Sequence, residues 1–306
     1  MAIYVVGHLN PDTDAVVSAI ALSSLEQSSK ENYIPCVANE INRETDYVLK
    51  KFGFSVPQLV PKEKNKRVIL VDHNEPNQLS PNIESEEIIG IFDHHKLGGP
   101  QTKKPIAVNM QPVGSTSTII ARIFGMKKIQ PTRQIASLLI AGIVSYTINL
   151  TSPNTRDEDR EAFEILNKTA GIDIDALADE MFKAKSDITG IPIKELAFKD
   201  SKIFDLKGQK VRVGVWETII PDPVIEKKDE IIQALNSKKA EEEIELSFFF
   251  IVDLLNNNSV AVIASKKEEE IIKKVFNVQI KDELSGKLKG IVSRKSQMVP
   301  PIEGAL

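Results

Sequence analysis

Residues 2–25 read AIYVVGHLNPDTDAVVSAIALSSL, and this stretch decides the fold. The compact apolar run Ile3–Val6 predicts a buried strand, which meets polar, turn-forming residues at once. From Asp14 to Ser28, apolar residues recur at helical spacing. A buried strand, a short turn and a helix are typical of the first unit of an alternating α/β domain.

The same alternation continues over the first part of the chain. Each apolar run is short and lacks an exposed polar face, as expected for parallel strands that are covered on both sides. Further strands are predicted at Ile34–Val37, Val68–Val71, Ile88–Phe92 and Ala107–Met110. Helices are predicted at Thr45–Phe52, Ser115–Phe124, Thr132–Ile148, Asp157–Ala170 and Asp173–Lys185. These patterns indicate an N-terminal α/β domain with a mainly parallel sheet flanked by helices.

A stretch mixing Gly, Pro and polar residues at 186–196 has the composition of a linker. We therefore predict a first domain at 1–187, a linker at 188–195 and a smaller α+β domain at 196–306. The second domain should contain a hairpin turning at Lys207-Gly208. Its strands are predicted at Ile203–Leu206, Val211–Trp216, Leu246–Val252, Val260–Ala264 and Leu288–Val292, and its helices at Ile225–Lys239 and Lys266–Phe276.

Composition limits the classes of function. The net charge is −4, with Lys and Arg spread over the chain, so the basic stripe of a duplex-binding protein is missing. No apolar run approaches the roughly 20 residues of a membrane-spanning helix, and the N-terminus resembles a strand rather than an export signal. The single cysteine, Cys36, excludes an internal disulfide and a thiolate zinc cluster. These features favour a cytoplasmic protein without nucleic-acid or membrane partners.

The chain has four histidines, His8, His73, His94 and His95, and each directly follows a predicted buried strand. Aspartates accompany all of them. Because the carboxyl ends of neighbouring parallel strands border one crevice, these clusters should converge. So many carboxylates would repel one another unless divalent cations compensated them. A shared metal site is therefore predicted.

Five of these residues are candidate ligands, too many for one ion that keeps open positions: His8, Asp12, Asp14, Asp72 and His94. Imidazole with carboxylate suits Mn²⁺, Co²⁺, Mg²⁺ or Zn²⁺, and the oxygen-rich set favours the harder ions. Two ions bridged by one Asp can lower the pKa of a water for in-line attack and neutralise the leaving oxygen of a phosphoryl transfer. Near the C-terminus, Arg294 and Lys295 could bind the phosphate oxygens.

Five segments together resemble the motifs of a known family. In order, they are GHLNPDTDAVVSAIA, VDHNE, DHHK, PVGSTSTII and VSRKSQMVPP. They resemble the family II, manganese-dependent inorganic pyrophosphatases of the DHH phosphoesterase superfamily. The resemblance spans nearly the whole chain and implies an N-terminal DHH domain, a C-terminal DHH-associated domain and a two-manganese cleft. It also implies hydrolysis of pyrophosphate and, as in bacterial members, a homodimer.

By motif position, the resemblance also implies residue roles. One metal would be held by His8 and Asp12, and the other by Asp14 and His94. Asp72 would bridge the two ions and, with His95 beside the phosphate as proton donor or electrophile, would be catalytic. Arg294 and Lys295 would bind the substrate together with His95. His73 is expected to be structural.

Two positions depart from the family pattern. Tyr146 stands where the family has a metal-binding Asp, so one metal should bind more weakly. Gly190 falls where a substrate-binding Lys is expected. Lys185 or Lys194 is the candidate replacement for that cation, and Asn149, one helical turn past Tyr146, is the candidate source of the missing metal-binding oxygen. Two alternatives therefore stand beside pyrophosphate hydrolysis. One is a phosphoesterase or exopolyphosphatase with another substrate, and the other is a pseudoenzyme that binds metal or phosphate.

Overall fold

A computed structural model of the chain describes residues 2–26 and 31–306. The predicted end of the first helix, Ser28, lies outside the described residues. Two compact units are present, Met1–Ala184 and Lys185–Leu306. The predicted limits of 187 and 196 for the two functional domains remain a prediction.

The first unit is built on a six-stranded sheet in which every neighbouring pair is parallel. The strand order is β3-β2-β1-β4-β5-β6, so the chain reverses direction between β1 and β4. In such sheets, ligands bind beyond the carboxyl ends of the strands at this reversal. The strands are β1 (Ala2–Val6), β2 (Asn32–Val37), β3 (Gln58–Leu59), β4 (Arg67–Val71), β5 (Ile88–Asp93) and β6 (Ala107–Met110).

All five predicted strands of this sheet are confirmed, and β3 was missed because two residues give no periodicity. The six predicted helices are present with small shifts at their ends. For example, α2 begins two residues early because Asn42 caps it by accepting a hydrogen bond from the Thr45 N–H. The helices are α1 (Thr13–Leu25), α2 (Arg43–Phe52), α3 (Thr116–Met126), α4 (Arg133–Thr147), α5 (Asp157–Ala170) and α6 (Ile174–Ser186).

The turn from β1 into α1 requires Gly7. A Cβ at this position would lie 2.6 Å from the Cβ of Ala15, so only glycine lets α1 approach the end of β1 this closely. Helix α4 is deeply buried, with no exposed surface on residues 138–141. It packs against α1, α3 and α5 and carries Tyr146 in its last turn. Tyr146 is therefore carried by a helix that is packed on three sides.

Asp159 links three segments beside this core. Its fully buried carboxylate accepts hydrogen bonds from the Gly114 N–H at 2.7 Å, the Thr118 hydroxyl at 2.6 Å and the Arg156 N–H at 2.7 Å. Asp159→Ala should lower the free energy of unfolding by about 3 kcal/mol or more, because two buried donors and one partly buried donor lose their acceptor. Urea denaturation measures this.

The matched control is Asp157→Ala, in the exposed first turn of the same helix. Only a favourable interaction with the helix dipole is lost there, about 1 kcal/mol or less. Equal losses in the two variants would contradict the role given to Asp159.

The second unit is an α+β domain with a seven-stranded mixed sheet in the order β11-β12-β10-β9-β8-β7, and β13 pairs with β10. Its strands are β7 (Ser201–Leu206), β8 (Gln209–Thr218), β9 (Leu246–Asp253), β10 (Asn258–Val262), β11 (Ile280–Lys281), β12 (Leu284–Ser285) and β13 (Leu288–Lys289). Its helices are α7 (Ile193–Phe198), α8 (Asp222–Ile225), α9 (Lys228–Glu242), α10 (Lys266–Phe276) and α11 (Val299–Ala305).

The hairpin is confirmed, since Lys207 and Gly208 have φ of 51° and 80°, the pair of positive angles that a tight hairpin turn uses. The predicted strand Leu288–Val292 is wrong in its extent, because the chain turns at Gly290, where φ is 72°. The predicted linker is also partly helical, since α7 begins at Ile193. Among the helices of the described residues, none combines the length and apolar character needed to cross a lipid bilayer.

Candidate metal centre

Three strand ends bring the predicted metal ligands together. His8 follows β1, Asp72 follows β4, and His94 follows β5, on the central strands of the parallel sheet. Asp12 caps the helix that follows β1, where its Oδ1 accepts a hydrogen bond from the Ala15 N–H at 2.9 Å. The convergence predicted from the sequence is therefore present.

A first group of ligand atoms lies around His8. Its Nε2 is 3.6 Å from Asp12 Oδ1 and 3.6 Å from Asp72 Oδ2. Burial alone would lower the pKa of His8, but the hydrogen bond to Asp12 and the charges of Asp12 and Asp72 raise it. One imidazole nitrogen and two carboxylate oxygens at this spacing could hold a divalent ion.

A second group uses the other oxygen of Asp72. Asp72 Oδ1 lies 3.4 Å from His94 Nε2 and 4.0 Å from His95 Nδ1. His94 Nδ1 donates to the Val113 carbonyl at 2.9 Å, which leaves the Nε2 lone pair facing Asp72. These atoms form a second set that could hold an ion, and Asp72 belongs to both sets.

Two buried atoms of the site have no hydrogen-bond partner among the described residues: His94 Nε2 and Asp72 Oδ2. Leaving such atoms unsatisfied is costly, and both are metal-ligand atoms. Burial, followed by repulsion from Asp14 and Asp12, raises the pKa of Asp72 well above its ordinary value. A bound divalent cation would satisfy both atoms and remove this penalty, so the residues present fit a metal.

The backbone at Asp72 is also unusual. Its φ of 64° lies in the left-handed region, which costs about 1 kcal/mol or more for a residue with a side chain. Asp and Asn tolerate this conformation better than most residues. In this backbone conformation the carboxylate lies between the two ligand groups, with one oxygen in each.

Asp14 is held differently from the other predicted ligands. It has no exposed surface, and its oxygens accept hydrogen bonds from the Thr116 N–H at 2.8 Å, the Ser117 N–H at 2.9 Å and the Ser117 hydroxyl at 2.5 Å. These donors stand at the N-terminus of α3, where helix geometry favours an anion. Asp14 belongs to neither group of ligand atoms in this structure.

The N-terminus of α3 and the residues just before it contribute contacts to the site that were not predicted from the sequence. Val113 orients His94, Thr116 donates its hydroxyl to Asp72 Oδ1 at 2.8 Å, and Ser117 holds Asp14. The run Gly-Ser-Thr-Ser-Thr before an apolar periodic stretch is a typical helix start. That signal predicted the helix but not its contacts with residues about 100 positions earlier.

His95 is oriented by Asp93. The His95 Nδ1–H donates to Asp93 Oδ1 at 2.8 Å, and the Asn74 amide donates to Asp93 Oδ2 at 2.5 Å. The hydrogen bond to the Asp93 carboxylate raises the pKa of His95. The imidazole therefore presents Nε2 away from Asp93.

His73 has the structural character that was expected. Its Nδ1–H donates to the Val71 carbonyl at 3.0 Å, and burial lowers its pKa to about 4, so it is neutral at physiological pH. The ring nevertheless lines the cavity that opens onto the site. This cavity has a volume of about 260 Å³. Its lining comprises His8, Asp12, Asp72, His73, Asn74, Glu75, Gln78, His95, Lys96 and Tyr146.

In the second unit, Arg294 and Lys295 line a cavity of about 510 Å³. The Arg294 guanidinium donates to the carbonyl of Asp200 at 2.8 Å and to its carboxylate at 2.6 Å, which fixes its direction. Lys202, on β7, lines the same cavity and was not singled out in the sequence. Lys202 is far from Arg294 and Lys295 in the sequence, so no local pattern indicates that the three residues share a cavity.

Comparison with known proteins gives this geometry its context. Residues 2–143 match the DHH family N-terminal domain, and residues 179–305 match the DHHA2 domain. A manganese-dependent inorganic pyrophosphatase from Methanothrix thermoacetophila is 37% identical over 305 residues, which cover 99% of this chain and 98% of that protein. One from Methanocaldococcus jannaschii is 39% identical over 311 residues, again covering 99% and 98%.

The chain belongs to the manganese-dependent inorganic pyrophosphatase family. A solved structure from Methanococcus jannaschii, described as a candidate family II inorganic pyrophosphatase, agrees with this. It covers 99% of both chains with 38% identity and a TM-score of 0.65.

Tyr146 is the residue of the site at which a departure from the family pattern was expected. Its hydroxyl is hydrogen-bonded to His95 Nε2 at 2.8 Å, and its ring packs edge-on against His94 with centroids 4.5 Å apart. Burial and the four nearby aspartates raise the pKa of this phenol, so it stays protonated. Asn149, the suggested replacement oxygen, instead donates its side-chain amide to Asp175.

Gly190, the other departure, has φ of 76°. A lysine at this position would be strained, so the local backbone is built for glycine. Lys202 already places a lysine in the cavity of Arg294 and Lys295.

Proposed function

We propose that this protein hydrolyses inorganic pyrophosphate to two phosphates and uses two Mn²⁺ ions per chain. The observation that carries the proposal is the position of Asp72, whose two oxygens belong to two ligand groups. Two adjacent divalent ions activate a water and neutralise the charge of the leaving oxygen. Co²⁺ and Mg²⁺ are the proposed substitutes for Mn²⁺.

Each residue then has a specific task. His8 and Asp12 would hold one ion, His94 would hold the other, and Asp72, a member of both ligand groups, would serve both. We assign Asp14 to the second ion as well, with the N-terminus of α3 fixing its direction.

The substrate would be held by cations and by His95. His95 lines the cavity and is held by Asp93 through Nδ1, and a phosphoryl oxygen would take the place of the Tyr146 hydroxyl as the partner of its Nε2. Arg294 offers a two-pronged donor to phosphate, and Lys295 and Lys202 add positive charge beside it.

We also propose residues 1–187 as the metal-binding part and 196–306 as the substrate-binding part. The single buried cysteine is compatible with a reducing cytoplasm. A homodimer is supported by the resemblance to bacterial members of the family. It is also compatible with the edge strand β6, where Val108 is 54% exposed.

The test is phosphate release by chelator-treated protein to which metal is added back. With pyrophosphate and Mn²⁺, we expect turnover that exceeds turnover of tripolyphosphate and of a dinucleotide by at least about tenfold, because a pocket built for one substrate discriminates by a kcal/mol or more. Without metal, the rate should fall to that of buffer. Faster turnover of tripolyphosphate or the dinucleotide would favour another phosphoesterase, and no turnover by folded, metal-loaded protein would favour a pseudoenzyme.

A further inference from the structure

The two ligand groups differ in their access to solvent. All three residues of the first group, His8, Asp12 and Asp72, line the open cavity. His94, a member of the second group, is absent from that lining, and its side chain is 6% exposed. The other two members of the second group, Asp72 and His95, line the cavity, so the covered position is the one at His94.

The residue that covers the second group is Tyr146. It lines the cavity, and its ring lies against His94 with centroids 4.5 Å apart. Its hydroxyl is tied to His95, which Asp93 holds from the other side. The ring is thus held by its edge-on contact with His94 and, through its hydroxyl, by His95.

The second group is also poorer in free oxygen atoms. Asp72 Oδ1 already accepts a hydrogen bond from the Thr116 hydroxyl, and Asp14 is occupied by α3. The Tyr146 hydroxyl is paired with His95. A second ion would therefore have to compete with these hydrogen bonds for its oxygen ligands, whereas His8 Nε2 and the Asp12 and Asp72 oxygens of the first group lie together beside the open cavity.

We propose that Tyr146 is a positioning residue that makes the two metal positions unequal. One Mn²⁺ binds tightly at His8, Asp12 and Asp72, and a second binds weakly at Asp14, Asp72 and His94 because the aromatic ring covers that position. This inference rests on the proposed metal site and concerns ion binding in the absence of substrate. Its test therefore needs no catalytic activity.

The experiment is a titration of the chelator-treated full-length protein with Mn²⁺, in which free Mn²⁺ is followed by electron paramagnetic resonance. For the unaltered protein we expect one tight ion and a second that binds at least about tenfold more weakly, the scale of effect that neighbouring groups have on metal affinity. Tyr146→Phe keeps the ring and should keep this inequality. Tyr146→Ala uncovers His94 and should raise the affinity for the second ion. Tyr146→Asp should raise that affinity further, by about tenfold or more.

Tyr47→Asp is the matched control, since Tyr47 lies on α2 and pairs with Glu180 rather than with the site. It should bind both ions as the unaltered protein does. Thermal unfolding of each metal-free variant checks that it folds, and if Tyr146→Asp does not fold, Tyr146→Ala decides.

Equal affinity for two ions in the unaltered protein would overturn the inference. So would an affinity for the second ion that is unchanged in Tyr146→Ala. Equal affinity for the two ions in Tyr146→Phe would also overturn it, because the aromatic ring would then not be what covers the second position. None of these results would by itself contradict pyrophosphate hydrolysis. Failure to bind any Mn²⁺ would instead remove the proposed function and this inference together.

Discussion

Asp72→Asn should abolish pyrophosphate hydrolysis and yet make the metal-free protein more stable. The amide keeps the size of the side chain and tolerates the φ of 64°, so the backbone need not move. It removes the only charge shared by both ligand groups. We expect kcat/KM to fall by at least about 10³-fold, equivalent to ~4 kcal/mol of transition-state stabilisation.

The gain in stability follows from the raised pKa of Asp72. A carboxyl whose pKa is raised in the folded state stabilises the fold below its ordinary value of 3.8, and this contribution is lost as the pH rises through the raised pKa. At neutral pH, burial of Asp72 beside Asp12 and Asp14 therefore destabilises the metal-free protein relative to the unfolded chain. Asparagine removes this penalty.

Urea denaturation with chelator, at acidic and neutral pH, measures this effect. The unaltered protein should lose more stability between the two pH values than Asp72→Asn does, and added Mn²⁺ should stabilise only the unaltered protein. A metal-free variant that is less stable than the unaltered protein at neutral pH would show that Asp72 is not a source of repulsion. A variant that retains most of its activity would remove Asp72 from the metal site.

His8→Ala and His94→Ala should both lower turnover by about 100-fold or more, ~3 kcal/mol, but they should do so through different ions. His8 belongs to the open ligand group and His94 to the covered one. His8→Ala should lose the tight Mn²⁺, while His94→Ala should keep it and lose the weak one. The two variants remove the same chemical group, so each is the control of the other.

Turnover and Mn²⁺ binding measured on the same preparations distinguish the two losses. Activity of His8→Ala should recover partly at high Mn²⁺ concentration, because the ion can be forced back by mass action. Loss of the same ion in both variants would contradict the assignment of the two histidines to separate positions.

The parallel sheet and the gathering of histidines were predictable from the sequence. Apolar runs without alternation indicate parallel strands, and parallel strands end at one edge. Once His8, Asp72 and His94 each follow such a run, their proximity is a consequence of topology. This is why the strand positions and the cluster agree with the structure.

The contacts around that cluster were not predictable in the same way. Asp14 accepts a hydrogen bond from Ser117, which lies 103 residues later in the sequence, and Tyr146 is hydrogen-bonded to His95, which lies 51 residues earlier. Neither pair has a periodic or local signal, because each depends on how α3 and α4 pack on α1. The short strands β3, β11, β12 and β13 were missed or mis-sized for a related reason, since two residues show no pattern and only their partners define them.

The hydrogen bonds from α3 to Asp14 have a consequence for substitutions outside the ligand set. Both oxygens of that carboxylate accept hydrogen bonds from backbone and hydroxyl groups, and His94 donates to the Val113 carbonyl. The directions of two proposed ligands therefore depend on the segment 113–117, which supplies no ligand of its own. A change in this segment can alter the metal centre while every ligand residue is still present.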